Sequence, residues 1–196
     1  MLIRRGLKHS AENAAIQLLN DMNLLGEDYV DVHQILSRLA INNKQVKIYT
    51  GYLEGLKGYT FHHNGNFMVC YDPDGFHEHN VRFTLAHEIG HIYLGHFKEN
   101  NIDSRDIYGR CEYEANYFAA ALLMPEHLLY NFNTLAQDVI ADRLRVSQES
   151  LGYRINTLHD LNRNTGIHIS FCPTCGRLIH GKGARFCAHC GIKISA

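Results

Sequence analysis

Residues 82–96 read RFTLAHEIGHIYLGH, and the pentad His87-Glu88-Ile89-Gly90-His91 within them decides how the remainder is read. Histidines four apart on a helix lie within about 40° of each other around the axis, so both imidazoles face one way and can share a single Zn²⁺. Glu88, next to the first histidine, reaches a water on that ion instead of the ion itself. There it can act as general base while the ion polarises a carbonyl. This grouping suits hydrolysis of a peptide bond. A five-residue pattern also arises by chance on an amphipathic helix, so a third ligand of the right kind is needed.

A catalytic zinc site takes three protein ligands and keeps one position open. The metzincin solution requires glycine three residues after His91 and histidine six after it, but those positions are Leu94 and Phe97. On a helix continued past His91, His96 lies about 140° round from it and reads as a polar residue at the helix end. The remaining choice is a carboxylate on a second helix, and CEYEANYFAAALLMP (111–125) offers Glu112 and Glu114. Ala115, Asn116, Ala119 and Leu123 fall within about 60° of Glu112, a small-residue stripe that permits close approach to the HEIGH helix. Glu114 lies about 160° away and reads as a solvated or locally paired surface acid. Glu112 is therefore the expected third ligand, with Asn116 placed to hydrogen-bond a ligand histidine's other ring nitrogen.

Helical patterning is expected over Ser10–Leu25, with Ser10 as N-cap, and over Asp31–Leu39, Asn80–His96, Asp103–Met124, Leu135–Leu144 and Gln148–Asn162. From Gln45 the period changes, and two apolar runs, Tyr59–His62 and Phe67–Tyr71, flank Asn64-Gly65, which supplies the positive φ angles of a tight hairpin. The predicted fold is α+β: a gluzincin-like zinc peptidase domain over 1–130 with a small antiparallel sheet, a helical hairpin over 131–164, and a zinc ribbon over 165–196. The segment 135–155 has the look of a helix-turn-helix, but Asp138, Asp142 and Glu149 dilute any basic recognition face, and a plain hairpin is the better reading. Polar residues interrupt the N-terminal apolar pattern, and no stretch approaches the roughly 20 apolar residues of a membrane span. A soluble, cytoplasmic chain with reduced thiols is expected.

At the level of motifs, the sequence resembles the ImmA/IrrE family of zinc metallopeptidases. RFTLAHEIGHIYLGH (82–96), EANYFAAALLMP (114–125) and the preceding small sheet carry the resemblance, over roughly residues 10–130 and the helices to about 162. It implies that the first glutamate of the second motif, Glu112, is a metal ligand, and that the acid usual four residues later is here Asn116. It also implies a cytosolic endopeptidase that cuts a helix-turn-helix repressor of a mobile element or stress regulon. Docking by strand addition along the 59–71 hairpin is the expected mode. The alternative is a repressor- or DNA-binding regulator whose zinc site is vestigial. The donor that stabilises the oxyanion is left open, with Tyr59 and Tyr93 among the candidates.

The C-terminus carries a second, separate metal signature. Cys172, Cys175, Cys187 and Cys190 form two CxxC knuckles eleven residues apart, the spacing of a structural zinc ribbon with closed coordination. Two zinc ions are thus expected, one catalytic and one structural. His180 and His189 read as surface residues, and Cys70 and Cys111 as packed thiols. Arg163, Arg177, Lys182, Arg185 and Lys193 are the charged residues of 163–196, which is therefore +5, while 1–162 carries −6. The net charge of −1 thus conceals an acidic body and a basic tail that could contact nucleic acid.

Overall fold

The computed structural model describes residues 2–41, 45–74, 77–98, 105–132, 135–161, 169–172, 174–175, 177–180 and 184–194. The chain divides into two compact units, Met1–Leu123 and Met124–Ala196.

The first unit begins with α1 (Leu2–Asp21). Ala11, Ala15, Leu18 and Leu19 line its buried face at helical spacing. The helix starts eight residues before the expected Ser10, which lies exposed in mid-helix instead of capping it. It also ends before Leu25. Asn23, with φ 55, reverses the chain so that Leu24 N donates to Leu19 O (2.8 Å) and Asn23 N to Asn20 O (3.0 Å). These two bonds satisfy the last carbonyls as a Schellman motif does. α2 (Val32–Ile41) follows, capped by Asp31, whose Oδ1 accepts from the backbone N–H of His33 and Gln34.

The sheet is mixed, in contrast to the purely antiparallel one expected. β2 (Gly58–His63) and β3 (Asn66–Tyr71) form the predicted hairpin, with Asn64 at φ 49 and Gly65 at φ 79. A further strand, β1 (Gln45–Thr50), lies parallel to β3 on its other side, giving the order β1-β3-β2. Its pairing joins residues about twenty apart in sequence, and no local turn signal announces a partner of that kind. Val46, Val69 and Tyr71 bury one face of the sheet, and β2 is left at an edge.

α3 (Glu78–Leu94) carries the HEIGH pentad, and α4 (Arg105–Leu123) lies against it. Asp103 and Ser104, at the expected start of α4, lie outside the described residues. Arg82 at the beginning of α3 is buried, donates from Nη2 to Val30 O (2.7 Å) and covers the Tyr29 ring at 4.4 Å, which ties the preceding loop to the helix. α3 and α4 come close together at Gly90. A Cβ there would stand 3.2 Å from Ala115 Cα, 3.3 Å from Ala115 O and 3.1 Å from Phe118 Cδ1. Two of those neighbours are backbone atoms, which yield only if the helix moves. Gly90→Ala adds about 1 kcal/mol of helix propensity, while overpacking of this kind costs about 1–3 kcal/mol. We expect the second to prevail, so that urea unfolding shows a net loss of stability. A variant as stable as the parent would show slack between the helices.

The second unit contains α5 (Glu126–Asn131), α6 (Gln137–Arg143) and α7 (Gln148–Leu161). Pro125 ends the preceding helix as expected but also opens α5, a helix missing from the sequence reading. α6 and α7 are the predicted hairpin, with Ser147 Oγ accepting from Ser150 N (3.1 Å) at the start of α7. Leu151 is buried. Arg154, in the middle of α7, is also buried and donates from Nε to Met124 O (3.0 Å), so it is held inside the unit instead of facing outward. β4 (Ile169–Phe171) and β5 (Leu178–His180) then pair antiparallel and lead into the cysteine knuckles. Among the described residues, no helix is long and apolar enough to cross a membrane.

Candidate metal centre

The two helices α3 and α4 bring His87, His91 and Glu112 together. One ligand atom from each lies within 4.8 Å of the others. His87 Nε2 is 2.9 Å from His91 Nε2, Glu112 Oε2 is 3.4 Å from His87 Nε2, and Glu112 Oε1 is 3.2 Å from His91 Nε2. Helical spacing aims both imidazoles at one point. The contact of Gly90, between the two histidines, with Ala115, just under a turn after Glu112, sets how near α4 can bring the carboxylate. The side chain of Glu112 keeps about a third of its surface accessible, against 15% and 12% for His87 and His91, so the cluster opens on the carboxylate side.

Electrostatics within the cluster pull Glu112 and His87 towards opposite charge. Hydrogen bonds from His87 and His91 hold the Glu112 carboxyl well below the usual carboxylate range, against a smaller opposing effect of burial. Burial lowers the His87 pKa, but the bond to Glu112, the charges of Glu88 and Glu112 and the bond to Asn116 together outweigh it and raise the net value. Glu88 itself is buried at 6% exposure beside the cluster.

Asn116 Oδ1 lies 3.0 Å from His87 Nδ1, so the amide meets the ring nitrogen turned away from the cluster. The expectations for His96 and Glu114 require correction. α3 does not continue to His96: Gly95 adopts φ 76, its N–H donates to the carbonyls of His91 and Ile92, and a short 3-10 turn (His96–Lys98) follows. A residue with a Cβ seldom takes that φ, and the turn throws His96 back beside His91. His96 is buried at 7% exposure, with Nδ1 2.9 Å from His91 Nδ1 and Nε2 3.3 Å from Glu114 Oε2. Glu114 is likewise largely enclosed, and it is paired both locally, with Arg110 Nε at 3.5 Å, and with His96. The glycine of LGH (94–96) is the sequence signal that could have ended the helix early.

The tyrosines considered as oxyanion donors sort by surroundings. Tyr59 sits beside Cys70, whose hydrogen bond raises its pKa, and burial with Asp21 raises that of Tyr93. Tyr108, one helical turn before Glu112 and 56% exposed, was overlooked in the sequence. The charge of Glu112, then slight burial and the charge of Glu88 raise its pKa, so the phenol stays protonated.

A separate cluster unites Cys172, Cys175, Cys187 and Cys190. Sγ atoms of Cys172 and Cys190 are 3.7 Å apart, as are those of Cys175 and Cys187, far beyond a disulfide. Cys172 and Cys187 are buried with Ile179 as a miniature core. His189 N–H points at Cys187 Sγ (3.4 Å), and Gly191, at φ 73, turns the second knuckle. Gly176 of the first knuckle and the ring of His180 lie outside what is described. Backbone N–H groups of Cys175 and Thr174 bring the Cys172 thiol down to about 6 despite burial. His189 is exposed and its Nδ1 meets Arg177 Nη1 at 3.1 Å. Arg177, Arg185 and Lys193 are exposed, whereas Arg163 and Lys182 lie outside the described residues.

A family profile described as the IrrE N-terminal-like domain, a peptidase family, matches residues 50–156. That stretch covers more than half of the chain and contains the whole His-His-Glu cluster. The chain belongs to the IrrE N-terminal-like peptidase family. Membership supports an enzyme of metallopeptidase type. The cysteine cluster lies beyond the matched residues in sequence. Among solved structures, a Mycobacterium tuberculosis transcriptional regulator is similar at 14% identity and a TM-score of 0.59, over 91% of this chain and 59% of that one. The chain therefore spans about three-fifths of that neighbour's length, and the likeness concerns fold. No curated protein sequence matches significantly.

Proposed function

We propose that the chain is a zinc-dependent endopeptidase of the gluzincin type, with His87, His91 and Glu112 as zinc ligands and Glu88 as general base. One observation carries the reading: donor groups of the zinc-binding kind from three residues converge, with contacts of 2.9 Å between the two Nε2 atoms and 3.2 and 3.4 Å from them to the two Glu112 oxygens. Two donors about 2.1 Å from a tetrahedral zinc ion stand roughly 3.4 Å apart, so the cluster needs only small adjustment to hold one. When bound, zinc supplies Lewis acidity and makes a water acidic enough to be deprotonated near neutral pH. Next in sequence to His87 and enclosed, Glu88 would take a proton from the attacking water and return it to the leaving amine. Glu112 offsets part of the positive charge, and Asn116 holds His87 with its Nε2 towards the ion.

Tyr108 is our candidate for the donor that meets the developing oxyanion. Its phenol is protonated, exposed and in the field of the ligand and of the base. Tyr108→Phe should lower kcat about tenfold to a hundredfold with little change in KM, as loss of one oxyanion donor does. An unchanged kcat would remove the assignment.

The substrate, in this reading, is a protein, and a helix-turn-helix repressor is the class the resemblance points to. β2 offers an edge for strand addition, and a row of tilted and edge-on ring contacts leads from it to the cluster: His62 to Phe67 (4.6 Å), Phe67 to Phe97 (5.4 Å) and Phe97 to His91 (6.1 Å). Incubating the zinc-loaded chain with a helix-turn-helix repressor that it binds should yield two fragments by mass spectrometry, abolished by a chelator and restored by zinc. Tight binding without fragments would overturn the peptidase reading in favour of sequestration.

The four cysteines complete the proposal as a structural zinc ribbon. Thiolates about 2.3 Å from a tetrahedral zinc ion stand roughly 3.8 Å apart, and two of the Sγ pairs are at 3.7 Å.

A further inference from the structure

The two ligand histidines are steadied from behind in different ways. His87 Nδ1 meets a neutral amide, Asn116, whereas His91 Nδ1 meets a second imidazole that itself leads to a carboxylate. Buried polar atoms of this kind cost free energy unless bonded, so the order of protons along the row is constrained. With His91 Nε2 turned to a metal and both rings neutral, His91 Nδ1–H must donate to His96 Nδ1. His96 then carries its proton on Nε2 and donates it to Glu114 Oε2. Arg110 Nε, 3.5 Å from Glu114 Oε1, closes the row at the surface.

Resting on the zinc-peptidase reading, we propose that His96 and Glu114 are positioning residues, a relay of two hydrogen bonds that fixes the tautomer and ring angle of His91 and strengthens its hold on the metal. The relay supplies a carboxylate to the His91 side of the site, while the His87 side has only the Asn116 amide. Its geometry depends on the left-handed turn at Gly95, which alone brings His96 back onto His91. Glu114 reaches the relay from α4, two residues after the ligand Glu112, so one helix serves both the metal and the support of its partner helix.

Titration of the full chain with Co(II) tests this, because thiolate-to-cobalt absorption reports the cysteine cluster separately from the weaker d–d bands of a histidine and carboxylate site. Disturbed support of a ligand histidine typically costs 10–100-fold in metal affinity. His96→Leu should therefore weaken Co(II) binding at the His87, His91 and Glu112 site by about that factor, with the thiolate bands unchanged. His96→Asn, which keeps an acceptor near the Nδ1 position, should recover part of the loss. Glu114→Gln, which keeps an acceptor but removes the charge, should lose about tenfold. Parental affinity in all three variants, or equal losses for His96→Leu and His96→Asn, would overturn the relay. Failure of the unsubstituted chain to take up Co(II) at this site would overturn the zinc reading itself.

Discussion

Glu88→Gln is expected to lower turnover of a cleaved partner protein by roughly 10²–10⁴-fold, the usual contribution of a positioned general base, or about 3–5 kcal/mol in barrier height. The substitution preserves side-chain size and removes the charge. Because Glu88 is buried beside the cluster but is not among the three converging donors, zinc content and thermal stability should stay near those of the parent. Metal analysis, a melting curve and single-turnover cleavage on the same sample check the three parts together. If Glu88→Gln still cut at the parental rate, the base would have to lie elsewhere. If it lost its metal, Glu88 would be a ligand or a support for one. His87→Ala is the useful contrast, since it should lose metal and cleavage together.

The second large effect is expected at the other end of the chain. Cys187→Ser should unfold the ribbon, because Cys187 is one of three buried residues in its core and one of four convergent thiols. Some 30 residues cannot bury enough apolar surface to stand alone. Metal binding at such sites is worth about 10–16 kcal/mol near neutral pH, and it supplies the folding free energy. Zinc stoichiometry should fall from two to one. Limited proteolysis should then trim the C-terminus while leaving a fragment with the His87, His91 and Glu112 site. A variant that kept two zinc ions and resisted proteolysis would show that the thiols are not what holds this segment together.

These two sites differ in how legible they are in sequence. The four cysteines lie within nineteen residues, so the spacing of two CxxC knuckles nearly defines their geometry. His87 and His91 are similarly local, because 3.6 residues per turn places them together on any straight helix. Glu112 needed a non-local step, yet the small residues around it, Ala115 and Ala119, announced a face built for close approach. Asn116 lies one turn on from Glu112, and the structure places it against His87.

His96, and Glu114 in its enclosure though not in its local pairing with Arg110, depart from the sequence expectation for a definite reason. Angular arithmetic along an unbroken helix puts His96 away from His91, and α3 is broken one residue earlier by Gly95. The same arithmetic assigned Glu114 to the surface, although a neighbouring helix and its returning chain can enclose that flank. β1 escaped notice because a parallel partner about twenty residues away leaves no turn signature between them.

By itself, the sequence determined the features that short-range geometry controls: the HEIGH helix, the Asn64-Gly65 hairpin, the small-residue face of α4 and the cysteine knuckles. Residues within a few positions of each other have their relative directions set by helix or turn geometry before any tertiary contact exists. Only the tertiary structure decided the parallel placement of β1, the reversal at Gly95 and the row from His91 through His96 to Glu114. Those depend on what packs against an element, and a difference of one φ angle redirects everything beyond it.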